Sequence, residues 1–479
     1  MLKSVIGRVW MQGLWVRMVA TAAGILALGL TAVPGPLVEA VAAARQAESV
    51  GDRQTAARAY HVAYTYQPWI EAYLVAAIEA EVQAGSYAEA ERDLEALAAI
   101  RPLGSQELAW LGAIYAGQGE IDRAVQIWER ARELGTVDTA ALARLAGIYE
   151  GRGEWAAALS VLEALSRLEP RNGLLHYRIG LIRSLDMPEA AIISLAQAVA
   201  LNPASAERLA ALRASLDERA GQPPDLAYAR LGIILVALEE YPLAEEALSR
   251  AVAYNRSYAE PLAYLAYTRA RLGKSALGAA QQAVALAPDS PTVRYLAGLT
   301  WKQLGRPVEA RLEFEAAYDL DPTNPAFCVE IASTHRAESN LIWAEIWMQE
   351  ATRLSSDDPR FRVLLVQFYV DEEYRVAEVG LPLAQQLVAD LPDNAEAHDA
   401  LAWASFLTGD LDGAQAELDR ALTLDPHLGR AYAHMGQLME QRGRLSEALW
   451  YYLRASELEP DGPFGALARR AIERLGGGG

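Results

Sequence analysis

From residue 37 onward, small and apolar residues return on a 34-residue beat. Pairs of Gly or Ala stand twelve apart: Gly112/Ala124, Ala146/Ala158, Gly232/Ala244, Gly298/Ala310, Ala332/Ala344, Ala402/Ala414 and Gly436/Ala448. Their second members run Ala56, Ala90, Ala124, Ala158, then Ala310, Ala344, then Ala414, Ala448. Prolines keep the same step at Pro68 and Pro102, Pro288 and Pro322, and Pro392, Pro426 and Pro460. The pattern predicts two helices per period. A turn, often with glycine (Gly119, Gly153, Gly305, Gly409, Gly443), ends the first helix in a left-handed residue. Proline then stops the second, because the residue before it is pushed out of the α region. Small residues belong where the helices cross, with Leu111, Tyr115, Trp128 and Leu134 filling the gaps around one such crossing. A single hairpin cannot bury its apolar face, whereas stacked neighbours can.

These residues resemble the tetratricopeptide repeat (TPR) family. One copy reads Leu108, Leu111-Gly112, Tyr115, Ala124, Trp128, Ala131, with Thr136 in place of the usual proline; another reads Tyr432, Met435-Gly436, Met439, Ala448, Tyr452, Ala455, Pro460. The resemblance implies an all-α, right-handed TPR-type solenoid. The register places twelve repeats, starting near 37, 71, 105, 139, 173, 225, 259, 291, 325, 359, 395 and 429. Repeats at 173 and 259 are short in the interhelix turn, and the repeat at 359 is about two residues long around Glu372–Arg375. An extra helix with Leu209, Leu212 and Leu216 on one face precedes the break Gly221-Gln222-Pro223-Pro224. The expected division is therefore a leader over 1–36, five repeats over 37–205, an inserted helix and break over 206–224, seven repeats over 225–462, and a capping helix with a glycine tail over 463–479.

The leader has its own character. Lys3, Arg8 and Arg17 precede 21 consecutive uncharged residues, Met18–Val38, and Trp10 and Trp15 flank the run. Roughly 20 such residues suffice to cross a bilayer as a helix. A basic flank stays cytoplasmic, so a transmembrane anchor would place the repeats outside the cytoplasm. Two other readings stay open: a cleaved signal peptide, for which Val38-Glu39-Ala40 offers a cleavage site, and a buried helix. Cleavage would make the protein a secreted one.

Formal charge is −19, with only three lysines, Lys3, Lys274 and Lys302, among 43 basic residues. So acidic a surface repels phosphate backbones, and no nucleic-acid partner is expected. Cys328, the single cysteine, excludes an internal disulfide and a Cys-cluster zinc site. It reads as a small buried hydrophobe. Histidines His61, His176, His335, His398, His427 and His434 show no helical metal-ligand spacing, and His398 reads as a hydrogen-bonded structural residue. The acidic pairs Asp357-Asp358 and Glu372-Glu373 suit capping and solvation. No phosphate loop or nucleophile elbow occurs, so neither catalytic residues, cofactor, metal nor small-molecule substrate is expected.

The resemblance implies that first helices line an inner wall, with register positions 2, 5, 9 and 12 facing it. Carried onto this chain, those positions include Leu174, Tyr177, Leu181, Leu226, Ile233, Val236, Tyr267, Tyr295, Leu299, Lys302, Trp403 and Phe406. Position 5 is never Lys and position 9 never Asn, unlike the carboxylate clamps of some family members. The expectation is a groove for an apolar peptide or helix from a protein partner. Its alternative is an inner wall that packs against the next repeat. The functional expectation is a non-catalytic, membrane-tethered scaffold that assembles a membrane or envelope complex. A permanent subunit of such a complex and an exported regulator of an enzyme are the alternatives.

Overall fold

The computed structural model describes residues 35–135, 138–219 and 221–476. All regular structure among them is helical, without a strand. Residues 1–34, which carry most of the expected anchor or signal segment, lie outside the described residues. Residues 35–38, the end of the uncharged run Met18–Val38, open helix α1 (Gly35–Ser49), where Leu37 is buried against Ala40 and Ala63. Gly35 and Pro36, expected in the leader, thus belong to the first repeat helix. Proline is tolerated in a first helical turn because its missing N–H has no partner to lose there. Among the described residues no helix is long and apolar enough to cross a membrane.

The chain divides into two units, with the boundary along the sequence between Asp217 and Glu218. In the first, α1 pairs with α2 (Arg53–Tyr66), α3 (Glu71–Ala84) with α4 (Tyr87–Ile100), and α5 (Ser105–Gly117) with α6 (Ile121–Leu134). Next come α7 (Thr139–Arg152) with α8 (Trp155–Leu168), and α9 (Gly173–Asp186) with α10 (Pro188–Leu201). A 3₁₀ turn then leads into the inserted helix α11 (Ala206–Asp217), which packs on α10 through buried Leu209, Leu212 and Leu216.

The second unit continues the plan. Its hairpins are α12 (Pro224–Ala237) with α13 (Tyr241–Tyr254), α14 (Ala259–Arg271) with α15 (Leu277–Leu286), and α16 (Pro291–Gln303) with α17 (Pro307–Leu320). They are followed by α18 (Pro325–Ala337) with α19 (Leu341–Leu354), and α20 (Pro359–Asp371) with α21 (Leu381–Asp390). The last are α22 (Ala395–Leu407) with α23 (Leu411–Leu424), α24 (Gly429–Gln441) with α25 (Leu445–Leu458), and the closing helix α26 (Pro463–Gly476).

Local sequence accounts for the helix ends. Asp52, Asp138, Asn324, Asp358 and Asn394 accept a backbone N–H of the first turn that follows them, which satisfies one orphan donor of each helix. The prolines at 68, 102, 288, 322, 392, 426 and 460 each stand two residues past the end of a second helix. The long repeat at 359 absorbs its extra residues in a turn where Glu373 and Arg375 take positive φ, followed by a π-turn over Val376–Gly380. Arg375 is tied down by Glu345 at 2.7 Å.

Packing follows from the small residues. Ala56, Ala90, Ala124, Ala158, Ala310, Ala344, Ala414 and Ala448 are all fully buried. Within each unit, first helices also touch the first helix of a neighbouring repeat, as α3 with α5 and α5 with α7, or α12 with α14 and α22 with α24. First helices therefore form a layer of their own.

Candidate functional site

In the first unit, the first-helix layer is hollow. The register puts Ala109 and Ala113 of α5 and Ala140 of α7 on it, too short to fill the space between neighbouring helices. A pocket of about 650 Å³ results, walled also by Val82, Trp110 and Trp128. The Trp128 indole forms its floor and is held in place by donating its N–H to the Ala109 carbonyl at 2.9 Å. Glu79, Gln106, Asp138 and Arg144 contribute polar groups to the lining, with Gln106 donating to Asp138 at 3.2 Å. Polar and apolar groups share the lining, so the pocket suits a segment that brings an apolar side chain together with hydrogen-bonding or charged groups. A search for large apolar residues on the inner positions passes over this pocket. The signal was a different one: Ala109, Ala113 and Ala140 stand where the repeat at 173 carries Tyr177, Leu181 and Leu174.

Of the residues expected to line a groove, three lie in this unit. Leu174 is 65% exposed, and with Tyr177 it borders a pocket of about 220 Å³ that α11 completes through Arg208 and Leu209. Leu181 is different and corrects the expectation, because it is fully buried. Its neighbour Gly180 lets Leu195 of α10 come so near that a β-carbon would meet it at 2.7 Å, and the tight crossing encloses the adjoining residue.

The other nine lie in the second unit. Leu226, Ile233 and Val236 are half-buried along α12. Tyr267 accepts a hydrogen bond from Arg271 at 3.0 Å, with Tyr241 edge-on to its ring at 6.4 Å. Tyr295 is wedged between Phe314 and Phe327, ring centres 5.7 and 5.4 Å away, and burial pushes its hydroxyl pKa up. Leu299 packs against the same cluster. Lys302 is exposed and donates to Glu330 of the following repeat at 2.6 Å. Trp403 stacks on Phe406 at 4.6 Å and on His434 of α24 at 4.2 Å. Several of these rings therefore join one repeat to the next.

Beneath Trp403 lies a buried ionic network that sequence reading did not anticipate. Asp399 of α22, fully buried, accepts from Arg430 at 2.9 Å and faces His434 Nδ1 at 2.8 Å. Arg430 also reaches Asp371 at the end of α20, at 2.5 Å. Burial pushes the Asp399 carboxyl up, but His434 and Arg430 outweigh it and hold the group below its ordinary range. Three consecutive first helices are thereby pinned together. His398 is likewise structural, held between the Glu417 carboxylate at 2.5 Å and the Pro392 carbonyl at 2.9 Å. Cys328 is buried, and burial pushes its thiol up to about 12, which suits packing rather than reactivity. Among the described residues one group could hold a metal ion: His61, Glu81 and Asp93, whose ligand atoms lie within 4.8 Å of one another.

The family model for the tetratricopeptide repeat matches residues 262–325, 377–429 and 408–463. Among solved structures, the chain is similar to a tetratricopeptide repeat protein from Parabacteroides merdae, at 15% identity and a TM-score of 0.44, over 53% of this chain and 98% of that one. It is similar to the yeast Tom70 at 16% identity and a TM-score of 0.43, over 92% and 95% of the two chains. It is also similar to MamA from Desulfovibrio magneticus at 16% identity and a TM-score of 0.29, over 36% and 97%. No curated protein matches the chain.

Proposed function

We propose that this protein is a non-catalytic TPR-type scaffold that binds protein partners on its first-helix layer. The observation that carries the reading is the alanine-walled pocket over α3, α5 and α7, with Trp110 and Val82 to receive an apolar side chain and Glu79, Asp138 and Arg144 to orient a peptide backbone or its charges. An extended or helical segment that inserts one or two large apolar residues fits this chemistry. Each such residue contributes roughly 1.5–3 kcal/mol before ordering costs are met. Leu174 and Tyr177 offer a second apolar contact in the same unit.

The proposal includes a tether. The basic flank and the uncharged run Met18–Pro34 ahead of α1 support a membrane anchor with the repeats outside the cytoplasm. Such a protein gathers membrane or envelope proteins by holding an apolar segment of each.

Filling the pocket tests the binding site. Ala113→Trp places an indole in the open volume without disturbing a fully buried residue. Crosslinking and mass spectrometry on native membranes should then lose the partners found with the wild type, while the circular dichroism spectrum stays helical. An unchanged partner set would rule out this pocket. Carbonate extraction tests the tether: the full chain should remain in the membrane pellet, and a mature N-terminus near residue 41 would show a cleaved signal instead.

A further inference from the structure

Three departures from the 34-residue pattern meet at one point in the first unit. His61 on α2 stands at the position held in later repeats by Glu95, Glu129 and Glu163. Glu81 on α3 corresponds to Tyr115, Tyr149 and Arg183, and Asp93 on α4 to Ile127 and Val161. Later junctions make a simple pair of the first two positions: the Tyr149 hydroxyl donates to Glu129 at 2.8 Å, and Arg183 donates to Glu163 at 2.8 Å. At the first junction the acid has changed sides, and a second carboxylate replaces hydrocarbon.

The geometry is convergent. His61 Nε2 lies 2.8 Å from Glu81 Oε1 and 2.8 Å from Asp93 Oδ2. One ring N–H serves one acceptor well, not two. The Glu81 side chain is only 6% exposed, and its Oε2 is buried with no hydrogen-bond partner. Burial, and then the neighbouring Asp93, push the Glu81 carboxyl up, offset in part by His61. Asp93, then Glu81, push the His61 imidazole up to about 10, so in the metal-free protein the ring proton supplies the positive charge between the carboxylates, and a bound ion takes its place. The His61 side chain is about a third exposed and opens on a pocket of about 460 Å³, which gives an ion a way in.

We propose that His61, Glu81 and Asp93 bind one divalent transition-metal ion of the zinc class, a water from the pocket completing the coordination. Imidazole with carboxylate oxygens is a ligand set that zinc accepts, whereas calcium and magnesium favour oxygen alone. Metal–ligand distances of about 2.0–2.2 Å in a tetrahedron call for ligand atoms roughly 3.3–3.6 Å apart, so the His61 nitrogen has to draw back by roughly 0.5–0.8 Å from each carboxylate oxygen. The two carboxylates neutralise the ion. Arg58 and Arg92 on the same pocket wall oppose a second cation, so the stoichiometry is one. An ion here ties α2, α3 and α4 together and locks the first hairpin to the second.

The test is a titration of the full chain, stripped with chelator, by Zn²⁺ in a calorimeter and by Co²⁺ in an absorbance cell. One equivalent should bind, with the visible bands of tetrahedral cobalt, and the melting temperature should rise. Asp93→Ile restores the hydrocarbon of the later repeats and should fold while binding at least ~10-fold more weakly. The triple variant His61→Glu, Glu81→Tyr, Asp93→Ile recreates the pairing of Glu129 with Tyr149 and should keep its helicity with no metal bound. His427→Ala, at an exposed histidine in the second unit, should leave binding intact. The proposal is overturned if the wild type takes up no stoichiometric Zn²⁺, if the triple variant binds as the wild type does, or if Mg²⁺ binds equally well.

Discussion

The indole of Trp128 occupies the space in which residue 112 would carry a β-carbon: at Gly112 that atom would stand 2.5 Å from both Cδ1 and Nε1 of the ring. Gly298 stands in the same relation to Phe314. Opposite the aliphatic Leu162, Met348 and Leu418 the first-helix position is Ala146, Ala332 and Ala402, whereas Leu248 and Leu195 approach glycines, Gly232 and Gly180, at 2.5 and 2.7 Å from where a β-carbon would stand. Gly112→Ala should therefore cost about 1–3 kcal/mol through overpacking. The double variant Gly112→Ala, Trp128→Leu reproduces the pairing of Ala146 with Leu162 and should recover part of that loss. Denaturant midpoints of the two variants check this, and a double variant no more stable than Gly112→Ala would contradict it.

Ser339 takes φ 58° at the interhelix turn between α18 and α19, where the turn between α16 and α17 has Gly305 at φ 73°. A residue with a β-carbon is strained in this region. Ser339→Gly should raise stability by about 1 kcal/mol, and Gly305→Ala should lower it by a similar amount. Thermal melts should move in opposite directions.

The buried Asp399 makes part of the second unit's stability depend on pH. Its folded pKa is depressed below the ordinary value of 3.8. The stabilisation it supplies is therefore fully present above that value and lost as pH falls through the lower, folded one. Asp399→Asn removes the charge that faces Arg430 and His434 and should cost about 3–5 kcal/mol at neutral pH. It should also flatten the acid limb of a stability-against-pH curve below pH 4. A limb as steep as that of the wild type would mean that other carboxylates govern acid unfolding.

Tyr295 separates a packing role from a binding role. Because its half-buried ring fills the gap between Phe314 and Phe327, Tyr295→Ser should lower stability by about 2–3 kcal/mol, below the range of a fully buried aromatic. Tyr177→Ser, beside an open pocket, should change the denaturation midpoint far less. Equal losses for the two would remove the distinction drawn between them.

The helical hairpins were legible in the sequence because each of their causes is local. A residue such as Ala124 or Gly153, a cap such as Asp138 and a proline such as Pro102 act within a few residues of themselves, and repetition at one period multiplies the signal. The pocket over α3, α5 and α7 was not legible in the same way. It arises from what Ala109, Ala113 and Ala140 leave empty, and an empty space exists only once three helices are side by side. The steric partner of Gly112, Gly232, Gly298 and Gly436 lay sixteen residues on rather than twelve, because a side chain such as that of Trp128 reaches back over a turn to its glycine. Leu181, equally apolar on paper with Leu174, became core while Leu174 stayed exposed. His61, Glu81 and Asp93 are separated by twenty and twelve positions and belong to three helices, so only the stacking of one repeat on the next could bring a nitrogen and two carboxylates to a common point. Periodicity reports what a residue does to its own helix. Which side chains meet across helices is a matter of distance in space, and that was decided by the tertiary packing.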